Sequence, residues 1–286
     1  MLGVYQQDAG FLQPERSIAA HVTAAQKLGA EVHGRERVIE WRVASGEVSV
    51  RTDCQTYQAK KLIVTAGPWA REIAPFLQNL AVPERQVVMW TQPLKPESFS
   101  LGTFPVFNME SPYGRFYGFP VYGIPGFKIG RYHHLREVVD PDTMDRQCHI
   151  ADEEVLRVGI RNYFPDADGP TLAMKACLFT NSPDEHFIID FHPDHPEVAV
   201  AAGFSGHGFK FCCVVGEIMA QLVLDGRAAL DIAMFRLARL AHQPKTYANT
   251  SGATIEASLS MMCFGVSMPS LPQVIFSFGT APEYEP

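Results

Sequence analysis

The chain has 286 residues, 47% hydrophobic and 19% charged, a length that suits one large domain or two ordinary ones with a real core. A net charge of −7 without a long basic run argues against nucleic acid or an anionic membrane surface as the main partner. There is no transmembrane-length apolar stretch and no signal-peptide pattern in "MLGVYQQDAGFLQPE", and six cysteines without a C-x-x-C pair suit reduced thiols in a cytoplasmic protein.

In chain order, "PERSIAAHVTAAQKLG" (14–29) carries Pro14 and Glu15 early, apolar residues at helical spacing and Gly29 as a stop, which predicts a glycine-capped helix. "AEVHGRERVIEWRVASGEVSVRTDCQTYQAKKLIVTAG" (30–67) alternates in short bursts, predicting several strands that end in a buried one, "KLIVTAG". A β-rich, aromatic middle runs from about Gln86 to Phe191, with turn signals in "SPYG", "GIPG" and "FPDADGP". Inside it, "DPDTMDRQ" and then "DEEVLRVGIRNYFP" predict one or two helices. "PEVAVAAGFSGHG" returns to a strand and a glycine turn, and "CCVVGEIMAQLVLDG" is a helix ending in Asp-Gly. After Lys245 there is no Lys or Arg and no sustained period, so the tail 241–286 is either an irregular extension or sequence foreign to the rest, such as out-of-frame translation.

Four stretches carry chemistry. "GFSGHGFKFCC" (203–213) has the G-x-x-G-x-G order, the reverse of the dinucleotide fingerprint. Between a strand and a helix it offers backbone N–H groups to an electron-rich or anionic group, with His207 and Lys210 beside Gly206 and Gly208; the alternative is a tight structural turn. In "KKLIVTAGPWA", Gly67 and Trp69 follow a strand at the edge where α/β sheets bind ligands, or they form an ordinary turn. In "KACLFTNSPDEHFIID", Cys177 is a nucleophile or a small buried hydrophobe. Asp184, Glu185 and His186 are adjacent, so on a strand they cannot share one site, and no ligand spacing supports a metal. In "FYGFPVYGIPGFKIGRYHH", Tyr117, Lys128, Tyr132, His133 and His134 punctuate two aromatic strands. Lys128 is either desolvated and functional or an edge-strand lysine that blocks aggregation, and His133 and His134 point to opposite faces of the strand.

Together and in this order, "LIVTAGPWA", "GFKIG", "DPDT", Lys-Ala-Cys at 175–177, "DEHFIID" and "GFSGHGFKF" resemble the monomeric sarcosine oxidase and N-methyltryptophan oxidase family over roughly residues 3–240. These are FAD-dependent amine oxidases of the D-amino-acid-oxidase-like superfamily. The resemblance implies that Cys177 attaches FAD covalently at the flavin 8α-methyl group, that Lys128 activates dioxygen and that Lys210 binds the substrate carboxylate. It implies that Gly67, Trp69, Gly206, His207 and Gly208 border the flavin, and that Tyr117 and His133 line the substrate pocket. "GRYHH" is one residue longer than the family's run, and Phe179 stands where sarcosine oxidases carry tyrosine.

No G-x-G-x-x-G occurs in the chain, and Met1 falls past the family's dinucleotide-binding unit, so the expectation is an N-terminally truncated member with exposed apolar surface open to association. The expected fold is mixed α/β. An incomplete FAD-binding domain (11–82 and 183–240) is interleaved with an antiparallel-rich substrate-binding sheet domain (83–182). The implied function is FAD-dependent oxidation of a small secondary amino acid such as sarcosine, with O2 reduced to H2O2. Two alternatives stand beside it: a non-catalytic fragment or partner-requiring subunit, and an oxidase of a cyclic imino acid such as pipecolate.

Overall fold

In the computed structural model, residues 3–241 and 276–277 are described, and the fold is mixed α/β. Helix α1 (Pro14–Lys27) starts on proline with Glu15 in its first turn, and Gly29 follows it at φ +94, as the sequence predicts. None of its residues is buried. Strand β1 (Val32–His33) pairs with β13 (Phe276–Ser277); the rest of the tail whose origin the sequence leaves open lies outside the described residues.

Strands β2 (Val38–Ala44), β3 (Glu47–Thr52) and β4 (Thr56–Ala59) form an antiparallel meander. Its first turn, Ser45–Gly46, has positive φ at both residues (54 and 78), which matches the right-handed twist of the flanking strands. Only Leu62–Val64 of "KLIVTAG" enters a ladder, as β5. It runs parallel to β12 (Val198–Ala202), which pairs antiparallel with β11 (Ile188–Phe191). Every residue of β12 is buried because both faces are covered. Ile188, Val198 and Val200 meet Ala70 and Ala74, on and just past the short helix α2 (Ala70–Ile73), and Leu77. Ile189, Ala199 and Ala201 meet Ile218, Met219 and Leu222 of α4 (Cys212–Asp225), which Gly226 caps at φ +73.

The aromatic middle forms a five-stranded antiparallel sheet in the order β10-β6-β9-β8-β7: β6 (Val82–Thr91), β7 (Phe107–Ser111), β8 (Gly114–Phe119), β9 (Phe127–Arg131) and β10 (Thr171–Asn181). One face presents Val87, Met89, Phe116, Phe127 and Ile129 to Leu156 and Ile160 of α3 (Ile150–Tyr163). Each such side chain contributes about 1.5–3 kcal/mol on full burial. Gly159 lets α3 approach this closely, since a Cβ there would lie 2.7 Å from the Phe116 ring.

Three expectations are corrected and one, the helix count near residue 150, is narrowed. β9 lies between β6 and β8, so Lys128 is on a central strand, not an edge. "DPDT" is a turn, because Asp140 accepts the Asp142 amide, and α3 is the one helix of that region. His133 and His134 lie beyond the end of β9, with His133 at φ +52, so strand alternation does not apply to them. Asp184–His186 also form a turn, with Glu185 at φ +61.

Candidate active site

The site follows from strand register, because directly paired residues in an antiparallel sheet project to the same side. Lys128 pairs with Trp90 on one side and Phe119 on the other, and its Nζ stands 5.0 Å from each ring centroid. Tyr117 pairs with Gly130, two residues beyond Lys128. A Cβ on Gly130 would fall 2.4 Å from the Tyr117 ring, so the tyrosine lies flat across that glycine. On the far side of β6, Cys177 pairs with Gln86 and Phe179 with Glu84. Tyr117, Lys128, Cys177 and Phe179 therefore share the face opposite α3.

That face is dry enough to shift its titratable groups. Burial pushes the Cys177 thiol up to about 11, and the Lys128 cation pulls part of the way back. Burial lowers Lys128, opposed by Cys177 and Glu15. Tyr117 is raised, first by burial and then by Cys177 and Tyr132. A thiol, a desolvated cation and a phenol are thus in mutual electrostatic reach against an aromatic wall.

The glycine loop meets this face at Phe179. A Cβ on Gly206 (φ +77) would lie 2.3 Å from the Phe179 ring, and one on Gly208 would strike Phe204, so each glycine marks a close approach. The loop runs through a 3-10 turn (Phe209–Phe211) before α4 begins at Cys212. The helix N-terminus therefore lies beyond the glycines, not within them. Lys210 carries its Nζ 5.4 Å over the Phe211 ring, and His207 Nε2 contacts the Glu185 carbonyl at 3.0 Å. Gly67 (φ +51) and Trp69 sit in a 3-10 turn against β10, and Trp69 Nε1 donates to Asp142 Oδ1 at 2.8 Å.

His133 is not beside Lys128. Its Nδ1 contacts buried Glu84 at 3.2 Å and its Nε2 contacts Glu185 at 3.0 Å; Gln86 and Asn181 also donate to Glu84. The residue that extends the Lys128–Gly130 alternation is Tyr132, whose ring lies 5.2 Å from Tyr117 and 5.8 Å from Phe179 with the Arg115 guanidinium 4.4 Å over it. The "GRYHH" run sets Tyr132 against Tyr117 and Phe179, and the left-handed turn at His133 swings the imidazole down to the two carboxylates. Trp90, Phe119 and Glu84 escape a motif-based search. Counting by twos from Lys128 finds Tyr132, but the others become visible only with the register.

Glu185 and then Glu84 raise His133 to about 9 from an ordinary 6.5. The folded value lies above the unfolded one, so the stabilisation is full below pH 6.5 and is lost as pH rises through about 9. With the exposed Glu185 discounted, about 2 kcal/mol is expected to disappear across that window. Urea midpoints at pH 6 and pH 9.5 check this: the fall should be steeper in the native chain than in His133→Gln.

The site fits a flavin ring at one end: a thiol and a cation on one sheet face, an apolar aromatic wall, and a glycine loop with basic residues beside it. The 286 residues contain no G-x-G-x-x-G for a pyrophosphate.

The chain is similar to several oxidases. The monomeric sarcosine oxidase of Bacillus sp. (strain B-0618) is 39% identical over 241 residues, covering 82% of this chain and 61% of that protein. N-methyl-L-tryptophan oxidase of Escherichia coli is 36% identical over 250 residues, with 83% and 63% covered. The peroxisomal sarcosine oxidase of Homo sapiens is 33% identical over 251 residues, with 83% and 62% covered. The chain spans about three fifths of the length of these relatives, whose covered shares are 61–63%. Among solved structures, L-proline dehydrogenase from P. horikoshii superposes with a TM-score of 0.65 at 22% identity, covering 78% of this chain and 58% of that one. Fructosamine oxidase (Amadoriase II) from Aspergillus fumigatus gives 0.64 at 22% identity, covering 77% and 56%. The model of the family described as FAD dependent oxidoreductase matches residues 2–222, and the chain belongs to that family.

Proposed function

We propose that the chain carries the substrate half and the flavin-ring contacts of an oxidase that acts on secondary amino acids such as sarcosine. The observation that carries this reading is the register that puts Lys128, Cys177, Tyr117 and Phe179 on one sheet face, with the Gly206 loop seated on Phe179. In this reading residues 11–82 and 183–240 form the flavin side, and 83–182 form the substrate side. When bound, FAD supplies the two-electron acceptor for amine oxidation and returns the electrons to dioxygen.

The protein's residues supply placement and charge. Cys177 anchors the cofactor through a thioether. Lys210 pairs with the substrate carboxylate and so holds the reacting N–CH bond in place. Tyr117, Tyr132 and Phe179 form an aromatic wall that keeps water away. The Lys128 cation stabilises negative charge as it develops on oxygen. The products are an imine, which water converts to a primary amine and an aldehyde, and hydrogen peroxide.

Peroxide formation from sarcosine, N-methyltryptophan and pipecolate tests the substrate class. Lys210→Met is expected to raise KM about 10–100-fold for every amino acid turned over, the loss of one charged hydrogen bond. An unchanged KM contradicts the carboxylate role. A second reading, in which a partner's surface completes the flavin site, is favoured by α1, which buries none of its residues. Turnover that appears only on adding such a partner would select it.

A further inference from the structure

The two adjacent cysteines that open α4 are not used by the proposed amine oxidation, yet they do not stand alone. His21 of α1 places its Nε2 3.4 Å from Cys213 Sγ, and Cys213 Sγ lies 3.9 Å from Cys212 Sγ. The three donor atoms all lie within 4.8 Å of one another, although His21 and Cys213 are 192 positions apart in the chain. Both cysteines are free thiols.

The 3.4 and 3.9 Å separations match those of a tetrahedral metal site. With Zn–S near 2.3 Å and Zn–N near 2.0–2.1 Å, two thiolates on one ion stand roughly 3.8 Å apart, and a thiolate and an imidazole nitrogen roughly 3.5 Å apart. Two thiolates and an imidazole form a soft donor set that selects zinc or cuprous ions over magnesium or calcium. The thiols occupy the first two positions of α4, so the helix fixes their spacing.

We propose that His21, Cys212 and Cys213 bind a single Zn2+ ion, with a fourth position open to water or a small ligand. Binding releases the thiol protons. The ion clasps α1, which has no buried residue of its own, to the helix that follows the Gly203–Gly208 loop and Lys210. It therefore fixes a helix that hydrophobic packing does not. This site stands independently of the flavin reading.

The test uses the full chain, reduced and freed of metal. Zn2+ titrated against a chelator of about micromolar affinity should bind with one equivalent and raise the thermal midpoint. Co2+ should give a thiolate-to-metal charge-transfer band in the near ultraviolet. Cys212→Ser/Cys213→Ser should abolish the band and weaken Zn2+ on the order of 100-fold or more. His21→Gln should keep the band and weaken binding, which separates ligand loss from misfolding. A missing band in the native chain, a band that persists in the double serine variant, or Zn2+ affinity unchanged in both variants overturns the site.

Discussion

Lys128→Met is expected to slow the reaction of substrate-reduced enzyme with dioxygen about 10²–10³-fold, the loss that follows removal of one preorganised charge partner from a dry site. The amine half of the reaction should change far less, because the proposed substrate partner is Lys210, not Lys128. Two observations make Lys128 the cation in question. It is on the central strand β9, flanked by Trp90 and Phe119 at 5.0 Å, and the same face carries Cys177. Burial lowers its pKa below the ordinary 10.5, so the charge is lost at a lower pH than for a free lysine. Since the cation is the active form, the oxygen rate should fall as pH rises through that lowered value, and Lys128→Met should lack this alkaline limb. Stopped-flow mixing of anaerobically reduced protein with oxygen measures both effects. Lys128→Arg keeps the charge and should keep part of the rate, and an unchanged rate in the methionine variant would remove Lys128 from the oxygen chemistry.

Asp152→Asn is expected to destabilise the fold by about 3–5 kcal/mol, the loss seen when one member of a buried ion pair is removed. Asp152 and Arg85 are 1% and 4% exposed and meet in a two-pronged pair at 2.8 and 3.0 Å. Arg85 also donates to the carbonyls of Asp145 and Gln147, while Asp152 accepts the His149 amide at the start of α3 and contacts His134 at 2.9 Å. Burial alone would raise the Asp152 carboxyl, but Arg85, the His149 amide and His134 outweigh it and hold it well below the usual carboxylate range. Removing the carboxylate leaves the buried guanidinium only the half-exposed Glu137, at 3.5 Å, as a counter-charge and frees the α3 N-terminus from β6. Urea unfolding of Asp152→Asn reads the loss directly. Arg85→Met/Asp152→Leu should recover much of it, because it removes both charges at once.

Legibility of the sequence follows the range of the interactions. Helices α1 and α4 are plain because their stop signals are local: Gly29 and Gly226 both adopt the left-handed backbone that ends a helix. The roles proposed for Cys177, Lys128 and Lys210 come from the family resemblance, but composition cannot place Lys128 on a central strand. That placement depends on β6, about 40 residues upstream of β9, and no local pattern encodes such pairing. Tyr132 and His133 are the sharpest case. Strand alternation puts Tyr132 on the site face, but that His133 leaves the strand depends on one positive φ and on a partner, Glu84, far away in sequence. Trp90 and Phe119 read as ordinary core aromatics until the ladder sets them on either side of Lys128.

The most direct measurement is of flavin itself. The chain is expressed, incubated with FAD and denatured in acid, and the protein band is examined for fluorescence. Fluorescence is expected to stay with the protein and to be lost in Cys177→Ser, since the thiol on the Lys128 face is the proposed attachment point. Retained flavin in Cys177→Ser, or none in the native chain even with a partner completing the site, would contradict it.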